Sequence, residues 1–252
     1  MHFAQPLLDT IQISSIAALA SVYYGLIYVP LALLAVVLCH VCHVRGWQPG
    51  PALGRWIVVG LALGGGGMLI SAGLAMLNGG MTQAAVSGHT ARGLLAIGMV
   101  LTLFQVLTEE LLFRGWLRLA LNSAFGPAFG IIVSALAYAG FVMASSGFAA
   151  LPFVNLLLLG LMLGLIAQRS GGIAAPIAVH FGWTLVEDFV LGLNPNPGAG
   201  TFGTLVDYDL LGSPLWGGSE AGLAASIGTS AVLIAIILPL MPAKPRPAAR
   251  SA

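Results

Sequence analysis

The sequence predicts an all-α protein, a polytopic transmembrane helix bundle of about seven spans with its N-terminus outside and its C-terminus cytoplasmic. Three observations carry this. Apolar residues make up 58% of the 252-residue chain and charged residues only 7%, against roughly 25% charged in an ordinary soluble domain. So few charges cannot cover a water-facing surface. The apolar runs have the length of about 20 residues that spans a hydrocarbon core, and no polar stretch between them is long enough to fold separately. Residues 1–252 are therefore read as a single integral membrane domain. Finally, the basic residues sort to one side of the resulting arrangement.

The spans run near 12–40, 56–78, 93–119, 128–146, 151–168, 173–193 and 222–241. Turn-forming residues separate them: Gln48-Pro49-Gly50-Pro51, Asn78-Gly79-Gly80, Asn122-Ser123, Ser145-Ser146-Gly147, Ser170-Gly171-Gly172, and a long Asn/Pro/Gly segment from Asn194. The first span is too long for a secretory signal, and Met1 to Thr10 contains no Lys or Arg for a basic leader, so it is expected to remain. The tail from Lys244 is a polar, proline-rich stub without a lipidation signal. Gly60 and Gly64, and Gly160 and Gly164, are small residues four apart that let helices approach closely in lipid. No repeat of 20 to 50 residues recurs, so the inverted repeats of many transporters are not expected. Nor is nucleic acid a partner, since no basic patch with interleaved aromatics exists.

Lys and Arg are retained on the cytoplasmic side of membrane proteins. Arg45 and Arg55 flank the first loop, Arg114 and Arg118 end the third span, Arg169 lies in the fifth loop, and Lys244, Arg246 and Arg250 lie in the tail. All eight fall on one side, with only Arg92 opposite.

The third span contains Leu107-Thr-Glu-Glu-Leu-Leu-Phe-Arg-Gly-Trp-Leu117. Carboxylates inside a membrane are costly and mark function by default. Glu110 and Arg114, four apart, share a helix face and can pair. Glu109, about 100° round the helix, is left without a local partner and suits a general base that takes a proton from water. A plain alternative is a Glu-Arg pair that anchors the helix near the interface. In the sixth span His180, Thr184 and Glu187 are spaced four and three apart and form one polar stripe. Depth, at about 1.5 Å per residue, puts Glu110 about 12 Å from Arg118 and His180 about 10 Å from Ile173. Both are measured from the cytoplasmic face, so the two groups are expected to meet in a cavity in that half. The alternative is a His180 that only bonds a neighbouring helix.

Glu109-Glu110-x-x-x-Arg114, followed by a histidine helix in His180-Phe-Gly-Trp183, resembles the CAAX protease and bacteriocin-processing family of intramembrane proteases. The similarity extends over residues 105 to about 235, including Arg169-Ser-Gly-Gly-Ile173 and Trp216-Gly-Gly-Ser-Glu-Ala-Gly222. The resemblance implies an endopeptidase of glutamic or metallo type acting on a membrane-associated or prenylated peptide in a bacterial-type inner membrane. By position, Glu109, Glu110 and His180 are its catalytic residues. Arg114, Thr184 and Glu187 support them, and a divalent metal such as zinc would be held by Glu109 and His180. Two positions depart from the pattern. The middle motif Phe-x-x-x-His has Tyr138 and Val142 here, and the final His-x-x-x-Asn has Thr184. A zinc site would be one ligand short of the usual three, and His40, His43 and His89 lie in no span that could replace the missing one. The other readings are an inactive family member acting as a membrane scaffold or binding protein, and a small-solute carrier. Cys39-His-Val-Cys-His43 matches the c-type haem pattern, but it falls on the cytoplasmic side, so two reduced thiols are expected there.

The orientation is testable directly. Topology reporters fused at residues 46, 198 and 252 should read cytoplasm, outside and cytoplasm; the inverse pattern would reverse the assignment.

Overall fold

The computed structural model describes residues 15–84, 92–198 and 200–241. His89, Met1 to Thr10 and the tail charges Lys244, Arg246 and Arg250 lie outside the described residues. Among the described residues seven helices pack into a bundle that fits the expected all-α polytopic class. They are α1 (Ile16–Val41), α2 (Leu53–Leu77), α3 (Arg92–Phe125), α4 (Pro127–Ser146), α5 (Ala150–Ser170), α6 (Ala174–Thr184, continuing to Val190) and α7 (Ile227–Leu240). Five of them are long and apolar enough to cross a membrane. Their outer faces carry large apolar side chains such as Leu33, Val37, Leu69 and Ile70, all exposed, as lipid-facing surfaces must.

The last helix starts later than expected. Gly222–Ala225 form a 3-10 turn, and Ser226, in an extended conformation, caps α7 by accepting from the Gly228 amide. The third helix, in contrast, continues to Phe125. The Asn122-Ser123 signal does not stop it, and the Ser123 hydroxyl bonds back to the Ala120 carbonyl at 2.7 Å, a bond that a helix tolerates. The stop comes at Gly126, whose φ of +89° no helix continues, and Pro127 then opens α4.

This extension corrects the charge reading. Arg114 and Arg118 are 0% and 4% exposed, not flanking charges at a helix end. The Arg118 guanidinium donates to the Arg114 carbonyl and to Gln168 Oε1. Among the described residues, Arg45, Arg55 and Arg169 remain on the basic side against Arg92.

Two segments leave α geometry. Leu111–Leu117 in α3 and Leu185–Val190 in α6 are π-helical, a rare form concentrated at functional sites. Each begins directly after a polar pair or stripe that the sequence marks: Glu109-Glu110 and His180-Thr184.

The helix bearing His180 is fixed at both ends. At its start the Ile173 and Ala174 amides donate to the Gln48 and Pro49 carbonyls of the first loop. At its end the Leu205 and Val206 amides donate to the Phe189 and Val190 carbonyls, satisfying groups a helix terminus otherwise leaves orphaned. That same connection supplies β2 (Tyr208–Leu210), which pairs antiparallel with β1 (Met81–Gln83), Met81 opposite Leu210. This two-stranded ribbon is a small addition to the all-α fold.

Small residues set the α2–α6 contact. A Cβ on Gly60 would stand 2.6 Å from that of Ala178, and one on Gly64 would overlap the Val179 carbonyl. Gly160 plays the same part for α5, lying against Ala135 of α4. Gly64→Ala should therefore cost about 1–3 kcal/mol and lower the thermal midpoint of the detergent-solubilised protein. Gly66→Ala, where nothing lies within 4 Å, should leave it unchanged or raise it slightly.

Candidate active site

The centre of the bundle is built from one carboxylate. Glu110 is fully buried, and its Oε1 accepts from Arg114 Nη1 at 2.9 Å and from His180 Nδ1 at 2.9 Å. Arg114, also fully buried, donates from Nη2 to the Gly160 carbonyl of α5 at 3.4 Å. Its guanidinium lies over the Tyr138 ring of α4, 4.5 Å from the centroid. One oxygen thus ties α3 to α6, and its cation ties α3 to α4 and α5. Glu110 Oε2 and Arg114 Nε are buried without a hydrogen-bond partner.

Glu109 is 2% exposed. Contrary to expectation it has a local partner: Gln105, four residues earlier, donates to Oε1 at 3.1 Å, and the Tyr28 hydroxyl of α1 donates to the same oxygen at 3.2 Å. Oε2 is left facing His180 Nε2 at 4.0 Å. That gap is too long for a direct hydrogen bond and suits one oxygen atom bridging the two. Because Nδ1 is held by a carboxylate, it is the donor nitrogen, and Nε2 presents its lone pair. The Tyr138 hydroxyl stands 3.4 Å from Nε2.

Glu109 and His180 line a cavity of about 230 Å³ to which all seven helices contribute. Tyr138, Val142, Thr184 and Glu187 also line it. Glu110 and Arg114 stand behind its wall. The structure therefore brings together Glu109, Glu110, Arg114, His180, Thr184 and Glu187. It adds Tyr28, Gln105, Tyr138, Asp188 and Thr229, which the sequence reading had not placed in a site. Gln105 could have been found from its spacing of four to Glu109. Asp188 enters because each residue of the wider π turn advances less than 100°, which swings it back onto the His180 stripe. Tyr28 and Thr229 come from α1 and α7 and carry no local signal. Asn155 lines the cavity too, but its amide donates to the Ala224 and Ser226 carbonyls and its oxygen accepts from Ser230.

The cavity lies in the half of the bundle opposite to the one expected. Its walls come from the C-terminal parts of α4 and α6 and the N-terminal parts of α5 and α7, and it reaches Asn194 and Leu223 in the 191–226 connection. The depth argument failed because Arg118 is not the end of α3. Glu110 precedes Phe125 by 15 residues, about 22 Å of helix.

The Cys39 and Cys42 thiols are free. Cys42 accepts from the Trp116 indole at 3.2 Å, linking the end of α1 to α3.

Residues 91–186 match the model of the type II CAAX prenyl endopeptidase Rce1-like family. This segment is an Rce1-like domain. It spans α3, α4, α5 and most of α6, and so contains Glu109, Glu110, Arg114, Tyr138, His180 and Thr184. The walls that α1, α2 and α7 give to the cavity, and the Glu187-Asp188 pair, lie outside the matched segment. No curated protein and no solved structure matches the chain. The matched segment is of CAAX protease type, and the apolar helices around it suit a multi-pass membrane setting.

Removing one partner of a buried ion pair costs about 3–5 kcal/mol. Arg114→Ala strands Glu110 and unties α4 and α5 together, so the yield of folded protein in membranes should fall sharply. Arg114→Lys, which keeps the charge but loses the fork to Gly160, should recover part of it. Size-exclusion profiles in mild detergent measure both.

Proposed function

We propose that the chain is an intramembrane endopeptidase in which Glu109 activates water for attack on a peptide bond and His180 orients that water. The substrate is a membrane-associated or prenylated peptide. The observation that carries the reading is the 4.0 Å gap between Glu109 Oε2 and His180 Nε2 across the cavity, with the far side of each group already bonded. A water in that gap would give one proton toward Oε2 and the other to the Nε2 lone pair, displacing the 3.4 Å contact from the Tyr138 hydroxyl, which is then free to turn toward the substrate. As its oxygen attacks the carbonyl carbon, Glu109 takes the first proton, then delivers it to the departing amine when the C–N bond breaks. The developing oxyanion needs donors, and the Tyr138 and Thr184 hydroxyls at the cavity wall are the nearest to His180 by position.

Glu110 takes no part in this transfer. It stands behind His180 and cannot meet substrate, so its role is to hold the imidazole in one tautomer and orientation. Arg114 holds Glu110. Glu187 sits farther along the cavity than the reacting atoms.

The donor set does not fit a zinc centre. Among the described residues no group of three His, Cys, Asp or Glu side chains converges, whereas catalytic zinc takes three protein ligands. Glu109 and His180 supply two, and Val142 stands where the family pattern has a histidine. No step is assigned to a metal.

The Val142 and Thr184 positions favour a second reading, a non-catalytic member that binds membrane peptides in the same cavity. A small-solute carrier fits less well, because the polar lining is confined to one half of the bundle. The proposed setting is a bacterial-type inner membrane.

Glu109→Gln keeps the shape and the bonds to Oε1 but removes the base. Cleavage of a membrane-anchored reporter peptide should fall by about 10²-fold or more, with thermal midpoint and yield unchanged. Undiminished cleavage in this variant would overturn the proteolytic assignment to Glu109, and absence of cleavage in both proteins would favour the binding reading.

A further inference from the structure

The cavity carries a strong charge asymmetry that water activation leaves unused. Glu109, Glu187 and Asp188 line it, and none of its lining residues is Lys or Arg. Glu187 and Asp188 have no ion-pair partner among the described residues. The Asn194 amide, a neutral partner, donates to Asp188 at 3.2 Å. Two adjacent carboxylates in a site walled by apolar helices repel each other and lose hydration, a cost that a bound cation would offset.

A second observation, on the opposite wall, points to a bound chain. Thr229 of α7 lines the cavity, is 4% exposed, and its hydroxyl has no hydrogen-bond partner among the described residues. A buried hydroxyl is seldom left unpaired. It stands ready for a group that enters the cavity, and a peptide carbonyl is a matching acceptor. Tyr24 of α1 lines the same cavity as Glu109, His180, Glu187 and Asp188, so the acidic pair and the proposed reacting groups belong to one continuous space.

We infer that Glu187 and Asp188 form a recognition subsite for one basic side chain of the bound peptide, with Thr229 engaging its backbone. The inference rests on the proposed binding of a peptide in this cavity. Seven residues of helix separate His180 from Glu187, about 10 Å, which an extended peptide covers in about three residues. The basic residue is therefore about three positions from the bond facing His180. A free C-terminal carboxylate, in turn, has no cation to meet there, so the cavity selects an internal basic segment over an acidic chain end. Because the pair lies beyond residue 186, this selectivity lies outside the segment matched to the Rce1-like family.

The test measures binding and does not depend on cleavage. Fluorescent apolar peptides of one length, C-terminally amidated and carrying Lys, Gln or Glu at a single scanned position, are titrated with the full chain in detergent with EDTA, and anisotropy is followed. Lys should bind about tenfold tighter than Gln at one position, and Glu should bind most weakly. Glu187→Gln with Asp188→Asn should abolish the preference while leaving the affinity for the Gln peptide within about twofold. Thr229→Val should weaken all three peptides alike. A Lys preference without turnover would sustain this inference while the proteolytic reading fails. Turnover or binding without charge preference, a preference that survives the double substitution, no binding of any peptide, or thermal stabilisation by divalent cations alone would overturn it.

Discussion

Glu110 Oε1 is shared by an arginine and a histidine, and the arrangement of the bundle follows from the need to satisfy that oxygen. An ionised group buried in lipid or protein costs several kcal/mol unless it is paired and hydrogen-bonded. Here the pairing draws on four helices: Arg114 from the same helix, His180 from α6, the Gly160 carbonyl of α5, and the face of the Tyr138 ring in α4. Helices in lipid gain little from hydrophobic burial against one another. A polar junction that only one arrangement can complete therefore supplies specificity that apolar packing cannot, and the glycine contacts of α2 with α6 let the backbones come close enough to use it.

The junction also explains how two neighbouring glutamates come to have different surroundings. Glu110 points inward to the cation and the back of the imidazole, whereas Glu109 points to the cavity and to the front of the same ring. On Glu109, two neutral donors hold one oxygen and leave the other toward the open space. α3 changes to π geometry immediately after Glu110, and α6 immediately after Thr184. Such a turn lengthens the hydrogen-bonded ring and resets which residues face inward, which is how Asp188 reaches the cavity. The freed carbonyls at the end of α6 are then met by amides of the long connection, so this loop is part of the site's scaffold.

Charge is sorted along the bundle axis. Arg45, Arg55 and Arg169 mark one side, while Glu187, Asp188, Asp207, Asp209 and Glu220 mark the side toward which the cavity extends. Arg114 and Arg118, at the centre and toward the basic side, are consumed by internal contacts. The cavity extends toward this more acidic end, where Arg92 is the one arginine among the described residues. The Rce1-like segment contains Glu109, Tyr138 and His180, while α1, α2 and α7 supply the remaining walls from outside it.

Composition and the lengths of apolar runs determined by themselves that this is a multi-pass helical membrane protein, because a chain so poor in charge has no other stable environment. The spacing of four between Glu110 and Arg114 determined their pairing, because helix periodicity alone brings such residues together. Resemblance in the Glu109-Glu110-x-x-x-Arg114 and His180 segments pointed to the family. The sequence could not show where α3 ends, since Asn122-Ser123 reads as a turn while the chain leaves the helix only at Gly126. For that reason it misplaced the depth of the cavity and counted the buried Arg114 and Arg118 among the charges that end the third span. Only the tertiary structure decided that Tyr28 and Thr229 join the site, because contacts between residues some 80 or more positions apart leave no periodic trace in the chain. It also decided that Asp188 faces the cavity, since an α-to-π switch follows from the packing of the helix and not from the order of its residues.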